Sequence, residues 1–184
     1  GIALDGVRLY GGAKAAELAK QKKIPVLFDL GSDPQALVSA GLRMGDILRL
    51  ISLTDVFLPC KVAARSLSKG EKDFVAQAKK ILELGPETVI LTLGSKGCLV
   101  ATKKGEITRV PTYKVKVVDT TGAGDAFLAG IGYGIVKGWD IGKAAQYANA
   151  VAALKCRKTG ARTGLPKASE VEELIKTGET LPTA

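Results

Sequence analysis

An α/β domain on a largely parallel sheet, with helices on both faces, is the fold class that the sequence predicts. Three observations predict it. Apolar runs of strand length alternate with segments of helical period along the whole chain. The apolar runs are nearly unbroken, the mark of strands buried on both faces. No linker, low-complexity tract or internal repeat interrupts the order, and 184 residues suit one domain over 1–184.

Taken in order, Gly11 to Lys22 reads as an amphipathic helix. Ile24 to Leu30 is a buried strand, followed by a helix from Arg43 to Leu53. Asp55 to Leu58 is a short strand stopped by Pro59. Glu71 to Leu84 sets Phe74, Val75, Ala78, Ile81 and Leu82 at helical spacing, and Thr88 to Leu93 is again a strand. Gly97 to Val110 reads as two short strands around Lys103, Lys104 and Gly105, a hairpin signal. Val115 to Val118 reads as a strand. Ala123 to Lys137 and Ile141 to Lys155 are helices joined at Gly138, and Ala168 to Thr177 is the last helix. Gly130, Gly132 and Gly134 are expected to serve close helix packing.

Composition excludes several chemistries. The chain has no histidine, which removes Ser-His-Asp and Cys-His catalysis and His-ligated zinc. Cys60, Cys98 and Cys156 are far apart and odd in number, so neither a CxxC metal site nor a full disulfide framework fits. Cys98 and Cys156 read as small core residues of an intracellular protein, with the cytoplasm the expected location. No apolar run is long enough to span a membrane, and the opening residues lack the pattern of a signal peptide. The net charge of +9 is carried by scattered pairs such as Lys22 with Lys23 and Lys103 with Lys104, and aromatic residues are only 5% of the chain. This pattern suits a solvated surface or an anionic small molecule better than a nucleic acid.

The segment that carries chemistry is VVDTTGAGDAFLAG, from Val117 to Gly130. A strand ends, small residues with two glycines follow, and a helix begins. Gly122, Ala123 and Gly124 let the backbone approach a ligand. Their N–H groups, with those opening the helix, form an anion-binding concavity backed by the positive end of the helix dipole. A carboxylate at Asp125 is placed to take a proton from an attacking hydroxyl while the N–H groups hold charge developing on phosphoryl oxygens. GxxxxGK[ST] is absent, and GxGxxG fails because Phe127 stands where the third glycine belongs.

DTTGAGDAF resembles the second signature of the ribokinase-type (PfkB) carbohydrate kinases. LTLGSKGCLV, from Leu91 to Val100, looks like that family's strand and loop beside the nucleotide phosphates. The helix with Tyr147, Ala148 and Asn149 and the segment RKTGARTGLP follow in the family's order. The resemblance implies a ribokinase-like three-layer α/β/α sandwich, with the N-terminal part and lid missing. The chain is then the C-terminal portion of an ATP-dependent phosphotransferase acting on a sugar or nucleoside, with ATP, Mg2+ and K+ as cofactors. Asp125 becomes the general base, and Gly122, Ala123 and Gly124 the anion hole. Thr92, Gly94, Ser95 and Gly97 approach the nucleotide phosphates and ribose, with Asn149 near the adenine. Asp119, Thr121 and Gly160 become candidates for a potassium-like ion. A homodimer would form through the missing lid.

The sequence departs from that family where LPCKVAARSL puts Cys60 in the place of an asparagine and Ala63 in that of a glutamate. The resemblance makes that pair the organiser of the magnesium–phosphate region, and its loss should slow a reaction that depends on positioning and electrostatics. Two further readings therefore stand beside the kinase: a kinase-like scaffold that binds nucleotide without efficient chemistry, and an interaction module using the basic surface. A sheet without its N-terminal neighbours is also expected to leave an exposed apolar edge and a marginal core.

Overall fold

A computed structural model describes residues 2–5 and 9–182. The chain divides into two compact units, Gly1–Thr92 with Leu99–Thr108, and Leu93–Cys98 with Arg109–Ala184. Six strands form one open sheet in the order β1 (Ile2–Asp5), β2 (Val26–Leu30), β3 (Val56–Pro59), β4 (Thr88–Thr92), β5 (Cys98–Thr102) and β6 (Ile107–Val110). All but the ends of β5 and β6 lie in the first unit.

The first four strands are parallel, with Leu27 beside Val56 and Val56 beside Thr88. Parallel neighbours need crossovers, and the chain supplies them as α1 (Leu9–Gln21), α2 (Pro34–Ser39), α3 (Met44–Ser52), α4 (Lys61–Leu67) and α5 (Phe74–Leu82). Each strand is added on the same side of its predecessor, so right-handed crossovers set these helices on one face of the sheet. All four residues of β3 are buried, so water is excluded from both faces there. Phe28 and Phe57 stack at 5.4 Å in this core, with Ile47, Leu50, Ile51 and Ile81 fully buried around them. Short connections then join β4 to β5 and β5 to β6, which permits only antiparallel pairing. Thr102 N–H donates to Glu106 O at 3.0 Å and closes the second as the hairpin expected around Gly105.

The second unit is built on α6 (Ala123–Val136), α7 (Ile141–Lys155) and α8 (Ala168–Thr177). Tyr113, Ala126, Tyr147, Ala150, Leu154 and Val171 form its core. α6 meets α7 along a seam of small residues. A Cβ on Gly130 would lie 2.6 Å from Ala148 Cα, and one on Gly134 2.5 Å from Ala144 Cβ. A Cβ on Gly132 would meet nothing within 4 Å, so the packing expected of three glycines is the work of two.

Three expectations change. Val115 to Val118 is not a strand: Val117 and Val118 are 60% and 54% exposed, and Val118 N–H donates to Cys156 O at 2.8 Å in a loop contact. The segment has strand residues but no ladder. Two short helices, α2 and α4, occupy stretches given no element by the sequence pattern. α5 starts at Phe74 rather than Glu71, because the Asp73 carboxylate caps it by accepting Ala76 N–H at 2.8 Å.

Candidate active site

The expected cradle sits in the second unit, at the head of α6. Gly122 is the N-cap residue with φ +78, a left-handed conformation that favours glycine. It is also pressed against the backbone: a Cβ there would lie 2.9 Å from Ala161 O. Side chains are barred at this position twice over.

The donors differ slightly from expectation. Ala123 N–H closes a turn onto Thr120 O at 3.0 Å, so it is occupied. Ala126 N–H makes the first helical bond, to Gly122 O at 3.0 Å. The N–H groups of Gly122, just before them, and of Gly124 and Asp125, between them, have no protein acceptor among the described residues. Unpaired N–H groups at a helix start, with the dipole behind them, suit an anion. Of the expected donors Gly122, Ala123 and Gly124, the middle one is engaged by the turn at Thr120, and Asp125 N–H stands unpaired with the other two among the described residues. Asp125 is the third residue of α6, and its carboxylate is exposed with no protein partner among the described residues.

Asp119 holds the approach to the cradle. One carboxylate oxygen accepts Thr121 N–H at 2.9 Å and the other accepts Gly160 N–H at 2.7 Å. These two backbone bonds, then the Thr121 hydroxyl and the nearby Lys155 charge, hold the carboxyl down to about 2. The Asp119 carbonyl accepts Lys155 Nζ at 2.8 Å. Lys155, the last residue of α7, is fully buried. It was missed as a site residue because a lysine in a last helical turn reads as a partner of the helix dipole. The signal was present: Ala144, Ala148, Val151 and Lys155 share one face of α7, and the first three are buried.

The expected nucleotide loop runs from the end of β4 in the first unit into the second. Thr92 closes β4 and bridges to Cys60. Gly94 and Ser95 are exposed in a 3-10 turn, Gly94 at φ +64. Lys96, exposed in the same turn, is a cation that the sequence reading passed over between its two glycines. Gly97 serves packing, since a Cβ there would lie 2.0 Å from Val110 O. Asn149 is only 4% exposed. Its Nδ2 donates to Val110 O and Pro111 O, both at 3.1 Å, and contacts Cys98 Sγ at 3.6 Å. Its amide therefore fixes backbone rather than lying on an open helix face. Burial pushes the Cys98 thiol up to about 12, which keeps it inert.

Cys60 and Ala63 lie in the first unit, at the start of α4. Ala63 is fully buried, and Cys60 is half-buried with no side-chain capping bond. A nearby cavity of about 470 Å³ is lined by Asp33, Lys61, Arg65 and Ser66 among others. Cys60 and Ala63 offer no oxygen ligand, and no cluster of acidic or sulfur ligands able to hold a metal occurs among the described residues. The donor set here does not fit a protein-held Mg2+.

A half-parallel sheet covered by helices, and a glycine-headed helix start with a carboxylate in its first turn, define the class as α/β. The profile described as pfkB family carbohydrate kinase matches residues 1–168, and the chain belongs to that family. It is 40% identical over 150 residues to a protein of Archaeoglobus fulgidus called an uncharacterized sugar kinase, covering 82% of this chain and 59% of that one. The structure matches the ribokinase of Thermotoga maritima at 31% identity and TM-score 0.77, over 95% of this chain and 56% of that one. It also matches a putative ribokinase II of Escherichia coli in complex with ATP and Mg2+, at 27% identity and TM-score 0.83, over 95% and 57%. The fold is thus ribokinase-like. The chain spans about half the length of the curated relatives it matches.

Proposed function

We propose that this chain is the nucleotide-handling part of an ATP-dependent phosphotransferase that moves the γ-phosphoryl to a hydroxyl of a sugar or nucleoside. The two units are read as one kinase domain, since the family profile runs through both. The observation that carries the reading is the helix start: three N–H groups without a protein acceptor among the described residues lie at the head of α6, and Asp125 stands in the same turn. The N–H groups of Gly122, Gly124 and Asp125 hold the oxygens of the transferring phosphoryl as charge develops on them. The Asp125 carboxylate accepts the proton of the attacking hydroxyl. Gly94, Ser95 and Lys96 approach the remaining phosphates, while Asn149 and Gly97 act from behind by fixing residues 110–111 beside the adenine. Magnesium, when bound with ATP, supplies charge neutralisation on the phosphates.

Asp125→Asn keeps the shape and removes the base. It should lower turnover by about 10² to 10⁴ with ATP affinity unchanged. The measurement is coupled ADP release against a panel of sugars and nucleosides, on this chain and on the chain extended to its relatives' length. Unchanged turnover on a confirmed substrate would sink the assignment. Cys60 and Ala63 favour a second reading, a nucleotide-binding scaffold with impaired chemistry. That reading gains if ADP binds and no acceptor turns over even after Cys60→Asn and Ala63→Glu.

A further inference from the structure

Of the ligands expected for a potassium-like ion, the Asp119 carboxylate and the Asp119 carbonyl are already engaged. Both carboxylate oxygens of Asp119 already accept backbone N–H groups, from Thr121 and Gly160. The Asp119 carbonyl accepts the side-chain amine of Lys155 at 2.8 Å. A metal ion bonded to that carbonyl would stand next to an ammonium, and the two like charges would repel.

We propose that Lys155 is an internal cation that holds the position a monovalent metal would take behind the cradle, so that the cradle assembles without potassium. Four observations support this assignment. Lys155 is fully buried, although a lysine serving only the helix dipole would keep its head in water. Burying an amine is costly unless it is partnered, and its partner is a carbonyl three residues before Gly122. The same stretch is tied again where Val118 and Asp119 N–H groups both donate to Cys156 O, at 2.8 and 3.1 Å. The loop after α7 folds back over the helix end, since a Cβ on Gly164 would lie 2.3 Å from Lys155 O. The ammonium and the Asp119 carboxylate thus form a fixed charge arrangement beneath the turn that positions Gly122 and Gly124. Lys155 is a positioning residue: it acts through Asp119 and touches no reacting atom.

The role in phosphoryl transfer rests on the function proposed above, so the test reads binding and stability as well. The thermal midpoint, ADP affinity by calorimetry and exchange of the Thr121 and Gly160 amides are measured at constant ionic strength in KCl, LiCl and choline chloride. For the wild-type chain, all three should agree across the salts, with ADP affinity within twofold. Lys155→Ala should expose the Thr121 and Gly160 amides and weaken ADP about tenfold in choline, with recovery in KCl and not in LiCl. A wild-type chain that KCl alone stabilises or tightens would overturn the proposal, because a metal site would then exist. So would a Lys155→Ala chain indistinguishable from wild type in choline, because Lys155 would then be packing only. If Lys155→Ala does not fold, the wild-type salt comparison decides alone. Absence of ADP binding in every salt would count against the nucleotide reading, and the midpoint and amide exchange would still judge Lys155.

Discussion

At the scale of single residues, Asp119 is the group whose environment is most plainly readable. Two backbone N–H groups hold its carboxyl down to about 2, well below its value in an unfolded chain. A depressed carboxyl contributes stability that is fully present above the unfolded pKa and is lost as pH falls through the folded one. The thermal midpoint should therefore fall between about pH 5 and pH 2, and Asp119→Asn should flatten part of that fall while lowering the midpoint at pH 7. Parallel pH series of the two proteins measure the difference, which also subtracts Asp46 and Glu71, whose carboxyls are lowered by Arg43 and by Lys80. Equal slopes would mean that the Asp119 bonds do not persist in solution.

At the scale of elements, the α6–α7 seam separates two effects that usually travel together. Replacing a helical glycine by alanine gains about 0.5–1 kcal/mol of backbone entropy. At Gly130 the new Cβ would sit 2.6 Å from Ala148 Cα, and overpacking of that kind costs about 1–3 kcal/mol. The clash wins, and Gly130→Ala should lower the midpoint. Gly132 has open space around it, so Gly132→Ala should raise the midpoint by about 2–4 °C. Chemical denaturation of both variants checks the opposite signs. The same element level shows what the sequence made legible. The buried runs of β2, β3 and β4 and the glycine-to-helix junction at Gly122 stood out, because each is a local pattern. Val115 to Val118 misled, because β-branched residues signal extended backbone and cannot say whether a neighbouring strand is there. α4 was hidden because Cys60 gives it no capping side chain, whereas α2 escaped notice although Asp33 at its N-cap and Pro34 at its first position are start signals. The occupation of Ala123 N–H by Thr120 and of Asn149 by Val110 and Pro111 depended on tertiary distances, beyond any spacing rule.

At the scale of the whole molecule, the chain carries a net charge of +9, and several of its cations are held in ion pairs. Lys20 pairs with Asp55, Arg49 with Glu17, Lys80 with Glu71, Lys103 with Glu87 and Lys114 with Glu179, from α1 to the C-terminal stretch. No helix among the described residues is long and apolar enough to cross a membrane. If the cradle and the Gly94 turn bind nucleotide, folding and binding are linked, and ADP at 100 times its Kd should stabilise the chain by about 2.7 kcal/mol. A thermal series with ADP and with inorganic phosphate should show a concentration-dependent rise for both, larger for ADP. A midpoint indifferent to both would leave the cradle without its ligand.

The interlocking of residues 118–122 with 155–164 means that the glycine signature is not a portable peptide. Gly122 leans on Ala161, Asp119 is fastened to Gly160, and the end of α7 anchors Val118 and Asp119 through Cys156 O. A protein engineer who transplanted Asp119 to Asp125 into another strand–helix junction would carry over the donors without the clamp that aims them. The heritable unit is the pair of segments, some forty residues apart in the chain, and a graft should work only when both travel together.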